Sequence, residues 1–206
     1  MLGAKLRAAT STPMPVLISS STSRTTTAGN TVTAPASIQD NDYLVAVCVS
    51  TANNTITAPA GFTLQVSNSG AGMALSVYAK VASSESGNYA FTWSGAANNT
   101  ISIMVYRSCD NVNASGVPAK ASSATIPAAS ISPTVVGVLC AVFAQASTNT
   151  VVTPPAGMSQ IIAYNAASPC LYIYELTPSA TGATGIKTLV LSGSAQYAAV
   201  LFQLAS

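Results

Sequence analysis

The 206-residue sequence contains no histidine. That removes the Ser-His-Asp and Cys-His nucleophile arrangements as ordinarily written. It also removes the H-E-x-x-H zinc helix and any zinc site that mixes Cys with His. Charge is scarce as well. Charged residues are 6% of the chain, against about 25% in an ordinary globular protein. The basic residues Lys5, Arg7, Arg24, Lys80, Arg107, Lys120 and Lys187 are scattered. No stripe of positive charge is there to displace counterions, so no nucleic-acid partner is expected. No phosphate-binding loop is present either, because Lys187-Thr188 follows Ile186 where the motif needs Gly. No cofactor is expected.

Long apolar runs are missing too. The longest, VVGVLCAVFA at 135–144, is about half of what a membrane-spanning helix needs. Near the N-terminus a polar STP at 11–13 interrupts the place where a signal peptide needs apolar residues. The expectation is a chain made in a cytoplasm, with no membrane partner. The four cysteines are widely spaced, with no C-x-x-C. Cys48 in LVAVCVS and Cys140 in VVGVLCAVF read as small buried apolar residues of strands, with a disulfide as the alternative.

The acids are Asp40, Asp42, Glu85, Asp110 and Glu175. Nothing marks two of them as a pair held at the fixed separation that glycoside hydrolysis needs. Asp40 and Asp42 in QDNDY read as a polar turn leading into a strand at Tyr43, with calcium-binding oxygens as the alternative. Glu85 in SSESGN reads as solvated. Glu175 in YIYEL has a cross-strand pair with Lys187 open to it. With neither a nucleophile nor an acid–base pair marked, no enzyme is expected.

What is abundant is apolar and small polar residues. The 49% apolar fraction supplies a core, and a chain of this length buries roughly 70% of its unfolded surface. From Ala121 to Ser206 the only charged side chains are Glu175 and Lys187. The surface is therefore built from Ser, Thr, Asn, Gln and Ala and has little colloidal protection from charge. That suits a protein packed against neighbours or repeated densely on a particle; a secreted Ser/Thr-rich domain is the plainer reading.

The periodicity is that of strands. ALSVYAKV (74–81) alternates like a half-buried strand, YAFTW (89–93) puts Tyr89, Phe91 and Trp93 on one face, and TISIMVY (100–106) continues the pattern. VVGVLCAVFA, LYIYEL (171–176), KTLVL (187–191) and AAVLFQL (198–204) follow. Turn chemistry at Asn53-Asn54, Ala60-Gly61, Ser94-Gly95, Ala156-Gly157 and Ser192-Gly193 separates them. Short strands with such turns predict an all-β, double-sheet sandwich of jelly-roll type. Residues 1–29 read as an extended N-terminal arm, either an edge strand or a segment lying along a partner. Its apolar island of Pro13, Met14, Pro15, Val16, Leu17 and Ile18 is the candidate partner-binding stretch.

The chain also repeats itself. TITAPAGF at 55–62 returns as VVTPPAGM at 151–158. VTAPASIQDNDYLVAVCVS (32–50) matches ATIPAASISPTVVGVLCAVFA (124–144), which pairs Pro35 with Pro127 and Cys48 with Cys140. Tyr78 pairs with Tyr174, and Trp93-Ser94-Gly95 with Leu191-Ser192-Gly193. This predicts an internal duplication over 30–108 and 122–206, joined by a linker at Cys109–Ala121. The halves would be two tandem domains or one interdigitated sandwich, and the long apolar strands favour a shared core. In the PAG phrase, Pro ends a strand because it cannot donate to the ladder. Gly then supplies a turn at positive φ, and Phe62 or Met158 re-enters the core.

The series IQDNDYLVAVCVS, TITAPAGFTLQVSNSG and ALSVYAKVASSESGNYAFTWSGAANNTISIMVYRSCDNV resembles a β-sandwich family of tailed-phage and prophage structural proteins. Its pattern runs from an Asp-Gly-Asp turn through PPAGW, YWKVA and YTFTWS to Y-x-G-V-D. Here Phe62 and Met158 stand at the Trp of PPAGW, Asn41 where the pattern often has Gly, and Ser108 at the Gly after Tyr106. The resemblance implies a virion structural protein that decorates and cements the capsid. Its partners would be the major capsid protein and further copies of itself in a homo-oligomer. The alternative is a tail or fibre module that binds host glycans, and it predicts an exposed aromatic cluster near Tyr78, Trp93 or Tyr172.

Overall fold

The computed structural model describes residues 13–70, 72–116 and 119–206. They form an all-β molecule of packed antiparallel sheets, a β-sandwich, with no helix among the described residues.

The first half contributes eight strands: β1 (Val16–Thr25), β2 (Gly29–Val32), β3 (Tyr43–Ser50), β4 (Ile56–Thr57), β5 (Thr63–Gly70), β6 (Met73–Val81), β7 (Tyr89–Trp93) and β8 (Asn99–Arg107). Five of them form a sheet in the order β1-β8-β3-β6-β5, and three form a small sheet in the order β2-β7-β4. The second half contributes β9 (Asn111–Ser115), β10 (Ala119–Ala128), β11 (Gly137–Gln145), β12 (Val151–Thr153), β13 (Ser159–Tyr164), β14 (Cys170–Ser179) and β15 (Lys187–Ala205). Their order is β10-β15-β11-β14-β13, with β9 and β12 also paired to β15.

Three apolar clusters define the layers. Val45, Val47, Leu75, Val77 and Met104 from the first half meet Val142, Leu171, Ile173, Val200 and Phe202 from the second in a shared central core. The opposite face of the five-stranded sheet, with Leu44, Ala46, Ile101 and Ile103, packs on Val32, Phe91 and Trp93 of the small sheet. In the second half Leu139, Phe143, Tyr172 and Leu201 pack on Ile126, Leu189 and Leu191. Each half is thus a sandwich with its own core, and the two large sheets also pack on each other. The shared core expected between the halves is present, and each half has a separate outer core beside it. The central strands are covered on both faces, which is why β3 and β11 are buried throughout and apolar up to their last residues, Ser50 and Gln145. β6 is also buried through seven consecutive positions, not half-buried as its alternation suggested. β7 keeps the expected alternation, because the outer face of the small sheet is free.

Two further expectations change. Residues 109–121 are not a linker: β9 and the start of β10 lie there, both paired with β15. KTLVL and AAVLFQL are not two strands. β15 runs unbroken across Ser192-Gly193, its first part in the outer layer and its last part in the central sheet.

The PAG phrases fold alike. Gly61 and Gly157 take φ of 87° and 74°, and Phe62 N–H and Met158 N–H each donate 3.3 Å back to Pro59 O and Pro155 O. A second matched corner sits beside each. Asn54 Nδ2 donates to Gly95 O at 2.9 Å, and Asn149 Nδ2 to Gly193 O at 2.7 Å. Thr55 N–H and Thr150 N–H each donate 3.1 Å to the hydroxyls of Ser94 and Ser192. Strand register aligns Ala46 with Ala141, since they face Tyr78 and Tyr174 respectively. By that register Cys48 matches Phe143 rather than Cys140. Cys48 points into the outer cluster and Cys140 into the shared core. Pro35 and Pro127 are likewise not equivalent: Val32, opposite Tyr89, matches Ala128, opposite Lys187.

Candidate functional site

A cleft of about 330 Å³ opens where β3 begins and β8 ends, lined by residues 39–42 and 107–110 together with Ser206. It gathers Asp40, Asp42 and Asp110 around Arg107. The chain reaches this geometry through two left-handed residues, Asn41 (φ 69°) and Ser108 (φ 57°), which fold the segments flanking the strands into tight turns.

Two of the charged groups there, Arg107 and Asp42, are committed to each other. Arg107 Nε and Nη2 donate to Asp42 Oδ1 and Oδ2, each at 2.9 Å. Gln39 N–H adds a third donor to Asp42 at 2.9 Å. The Arg107 hydrogen bonds hold the Asp42 carboxyl below the usual carboxylate range, against burial that works the other way. Asp40 accepts from Ser84 N–H at 2.6 Å, and so ties this turn to the loop after β6. Cys109 is buried, and that burial pushes its thiol up to about 12, far from the thiolate a nucleophile requires. What the arrangement does is close the end of the sandwich. Among the described residues no group of three His, Cys, Asp or Glu side chains is placed to hold a metal ion, and Asp42 N–H donates back to Gln39 O at 3.1 Å to form a turn.

The remaining candidates are drawn into packing. Glu85 is not solvated. Its carboxylate lies 2.7 Å from Lys80 Nζ and accepts from Tyr89 Oη at 2.8 Å and Ser83 N–H at 3.1 Å. Lys80 also sits 5.8 Å over the rings of Phe62 and Tyr89. Glu175 does not pair with Lys187; across the strands it faces Cys140 and Ser159, and Tyr106 Oη donates to it. All four cysteines are free and buried. Tyr78, Trp93 and Tyr172 are buried at 7%, 4% and 2% exposure, so they do not form the exposed aromatic cluster a glycan-binding face would need. They fill the outer cores, and Tyr78 Oη donates to Ile56 O at 2.7 Å.

Of the N-terminal island, Val16, Leu17 and Ile18 begin β1, an edge strand paired antiparallel with β8 from Val16 opposite Arg107 to Thr25 opposite Asn99. The sandwich therefore takes in residues before 30. Met14 and Leu17 pack on the shared core, Ile18 packs on the outer cluster, and Pro15 is buried. Pro13 is exposed, and so is Val16, at 55%. Residues 1–12 of the expected arm lie outside the described residues. Exposed apolar side chains elsewhere include Val135, Val136, Val152 and Ile186 in the second half. The last of these flanks Lys187 in a shallow cleft of about 300 Å³ beside Pro154.

Sequence reading overlooked two contacts, Arg107–Asp42 and Tyr106–Glu175. Each joins residues 65 or more positions apart, and no local pattern announces either. Comparison with protein-family models, with curated proteins and with solved structures finds no match.

Proposed function

We propose that the chain is a structural protein of a tailed-phage particle, a decoration or cement protein that binds the lattice of the major capsid protein. In this reading the two halves arose by duplication of one jelly-roll unit. The order β1-β8-β3-β6 over β2-β7-β4 supports a jelly-roll unit in the first half, with β5 added at the edge of the first sheet. The observation that carries the reading is the behaviour of the residues behind the resemblance. Asn41 and Ser108, standing where the phage pattern has glycine, are both left-handed, and both PAG phrases build the same turn.

The role is binding alone. From Ala121 onward the sequence has two charges, and one of them, Glu175, is turned toward Tyr106. The second sandwich thus offers a nearly neutral Ser/Thr/Ala surface with Val135, Val136, Val152 and Ile186 standing out of it. Such a surface packs against a neighbour without stripping water from ions. Further copies would assemble with closed symmetry, and their contacts, multiplied over the shell, would stabilise it.

The test is the copy number of the chain in purified particles, measured by quantitative mass spectrometry against the major capsid protein. A ratio near one per capsid subunit, or a simple fraction of it, is expected. A few copies per particle would move the protein to the tail or a vertex, and absence from particles would end the virion reading.

A further inference from the structure

Among the described acids, Asp42 is held by Arg107 and Glu85 by Lys80. Glu175 has no cation within ion-pair distance among the described residues. It projects from β14 of the second sandwich into the seam where the two large sheets meet. There it stands beside Cys140 of β11 and receives a hydrogen bond from Tyr106 of β8, across the seam. Tyr106 is fully buried, and its hydroxyl also lies 3.7 Å from Cys140 Sγ and from Met104 Sδ. The titratable groups around the carboxyl are therefore Tyr106 from β8 and Cys140 from β11, with Cys109, after β8, acting on Cys140. The neighbouring residue on β13 is Ser159, and β15 places Phe202 beside Cys140.

We propose that Glu175 is a pH-sensitive lock on the seam between the two sandwiches, closed when its carboxyl is neutral and loosened when it ionises. A neutral carboxyl sits in this seam at little cost. An ionised one, with a single phenol donor and no cation among the described residues, keeps a large part of its desolvation penalty. Burial pushes the Glu175 carboxyl up, and the Tyr106 hydrogen bond offsets part of that rise. Burial also drives the ionisation of Tyr106 and Cys140 well upward, so neither titrates in the same range.

The sign follows from linkage. A carboxyl raised in the folded state contributes stability that is complete below its unfolded value of 4.5. That contribution is lost as pH rises through the folded value. Asp42 and Glu85 work in the opposite direction. The Arg107 hydrogen bonds hold Asp42 low. For Glu85, burial pushes upward but is outweighed by Lys80, Ser83 N–H and Tyr89. Their contribution is lost as pH falls. The limb above the unfolded carboxylate value belongs to Glu175.

The experiment is hydrogen exchange, read as amide protection factors between about pH 5 and pH 8, on the full chain and on Glu175→Gln and Tyr106→Phe. In the unsubstituted protein, protection in β8, β11 and β14 should fall as pH rises, by up to about tenfold per pH unit, less where solvent reaches the carboxylate. The outer strands β2, β4 and β7 should hold theirs. Glu175→Gln should flatten the seam profile. Tyr106→Phe should steepen it, because it removes the donor that favours the ionised form. Parallel profiles for the unsubstituted protein and Glu175→Gln would overturn the proposal, as would a loss shared equally by the outer strands. Should Glu175→Gln fail to fold, a Tyr106→Phe profile parallel to that of the unsubstituted protein would overturn it as well.

Discussion

Three glycines separate three physical reasons for glycine, and substituting each with alanine gives three different outcomes. Gly137 opens β11 at an irregularity in its pairing with β14, opposite Ser179. A Cβ there would lie 2.1 Å from the carbonyl oxygen of Leu204 and 3.1 Å from the Gln203 side chain. The oxygen belongs to the backbone of the neighbouring central strand, so no rotamer change relieves the clash. Two strands covered on both faces must separate. Overpacking of this kind costs about 3 kcal/mol, a large share of the roughly 5–15 kcal/mol that holds a domain folded. Gly157 has no atom within 4 Å of such a Cβ, but its φ is +74°. Gly157→Ala should cost only the left-handed strain, about 1 kcal/mol. Gly29 has open space and no left-handed φ, so Gly29→Ala should be neutral or stabilise by about 0.5 kcal/mol through the unfolded chain. Urea unfolding read by far-UV circular dichroism gives all three. The sole tryptophan, Trp93, lies in the first half's outer cluster, so its fluorescence reports the half remote from Gly137. If the shared core couples the sandwiches, both signals shift together in Gly137→Ala. A Gly137→Ala within about 0.5 kcal/mol of Gly157→Ala would refute the argument from close approach.

Further consequences can be checked in the same assay. Asn41→Gly and Ser108→Gly should each stabilise by about 0.5–1 kcal/mol, Ser108→Gly the more, because Asn tolerates the left-handed region better; lower urea midpoints would contradict this. Asp42→Asn should cost about 1–3 kcal/mol at neutral pH, because Arg107 loses its carboxylate partner. It should also flatten the loss of stability on acidification, read from urea midpoints on lowering the pH through the ordinary carboxylate range. Asn54→Ala and Asn149→Ala remove the matching side-chain clamps on Gly95 O and Gly193 O and should each cost about 1 kcal/mol. A large inequality between them would show that the two corners do different work.

Strand positions were legible because their causes are local. YAFTW alternates since one face of its sheet is free, and β7 spans those same residues. LYIYEL and TISIMVY lie within β14 and β8. The seam was not legible. Whether a strand apolar on both faces meets one covering layer or two depends on partners far away in sequence, and VVGVLCAVFA looks the same in either case. Glu85 illustrates the same limit. SSESGN is a loop, as its composition says, but Lys80 and Tyr89 come from the strands on either side of it and fold the carboxylate inward. Arg107 looked like one scattered cation because its partner lies across the sheet and 65 positions earlier.

The mispaired cysteines show where a repeat read by residue identity fails. Sequence similarity set Cys48 on Cys140, while strand register sets Ser50 on Gln145 and Cys48 on Phe143. The disagreement is three positions. In a strand an odd slip turns every side chain to the opposite face, so the sequence alignment puts shared-core residues onto outer-core ones throughout β3 and β11. Nothing in LVAVCVS or VVGVLCAVF resists the slip, because both faces of both strands are apolar and carry no alternation to fix the phase. The PAG phrases resist it. Their glycines must sit where φ is positive, and their prolines must sit where no ladder donor is needed. The corners therefore keep register between the halves where the strands do not. Any comparison of the two halves, by sequence or by substitution, should be anchored on Gly61 and Gly157, whose turns match, rather than on the cysteines.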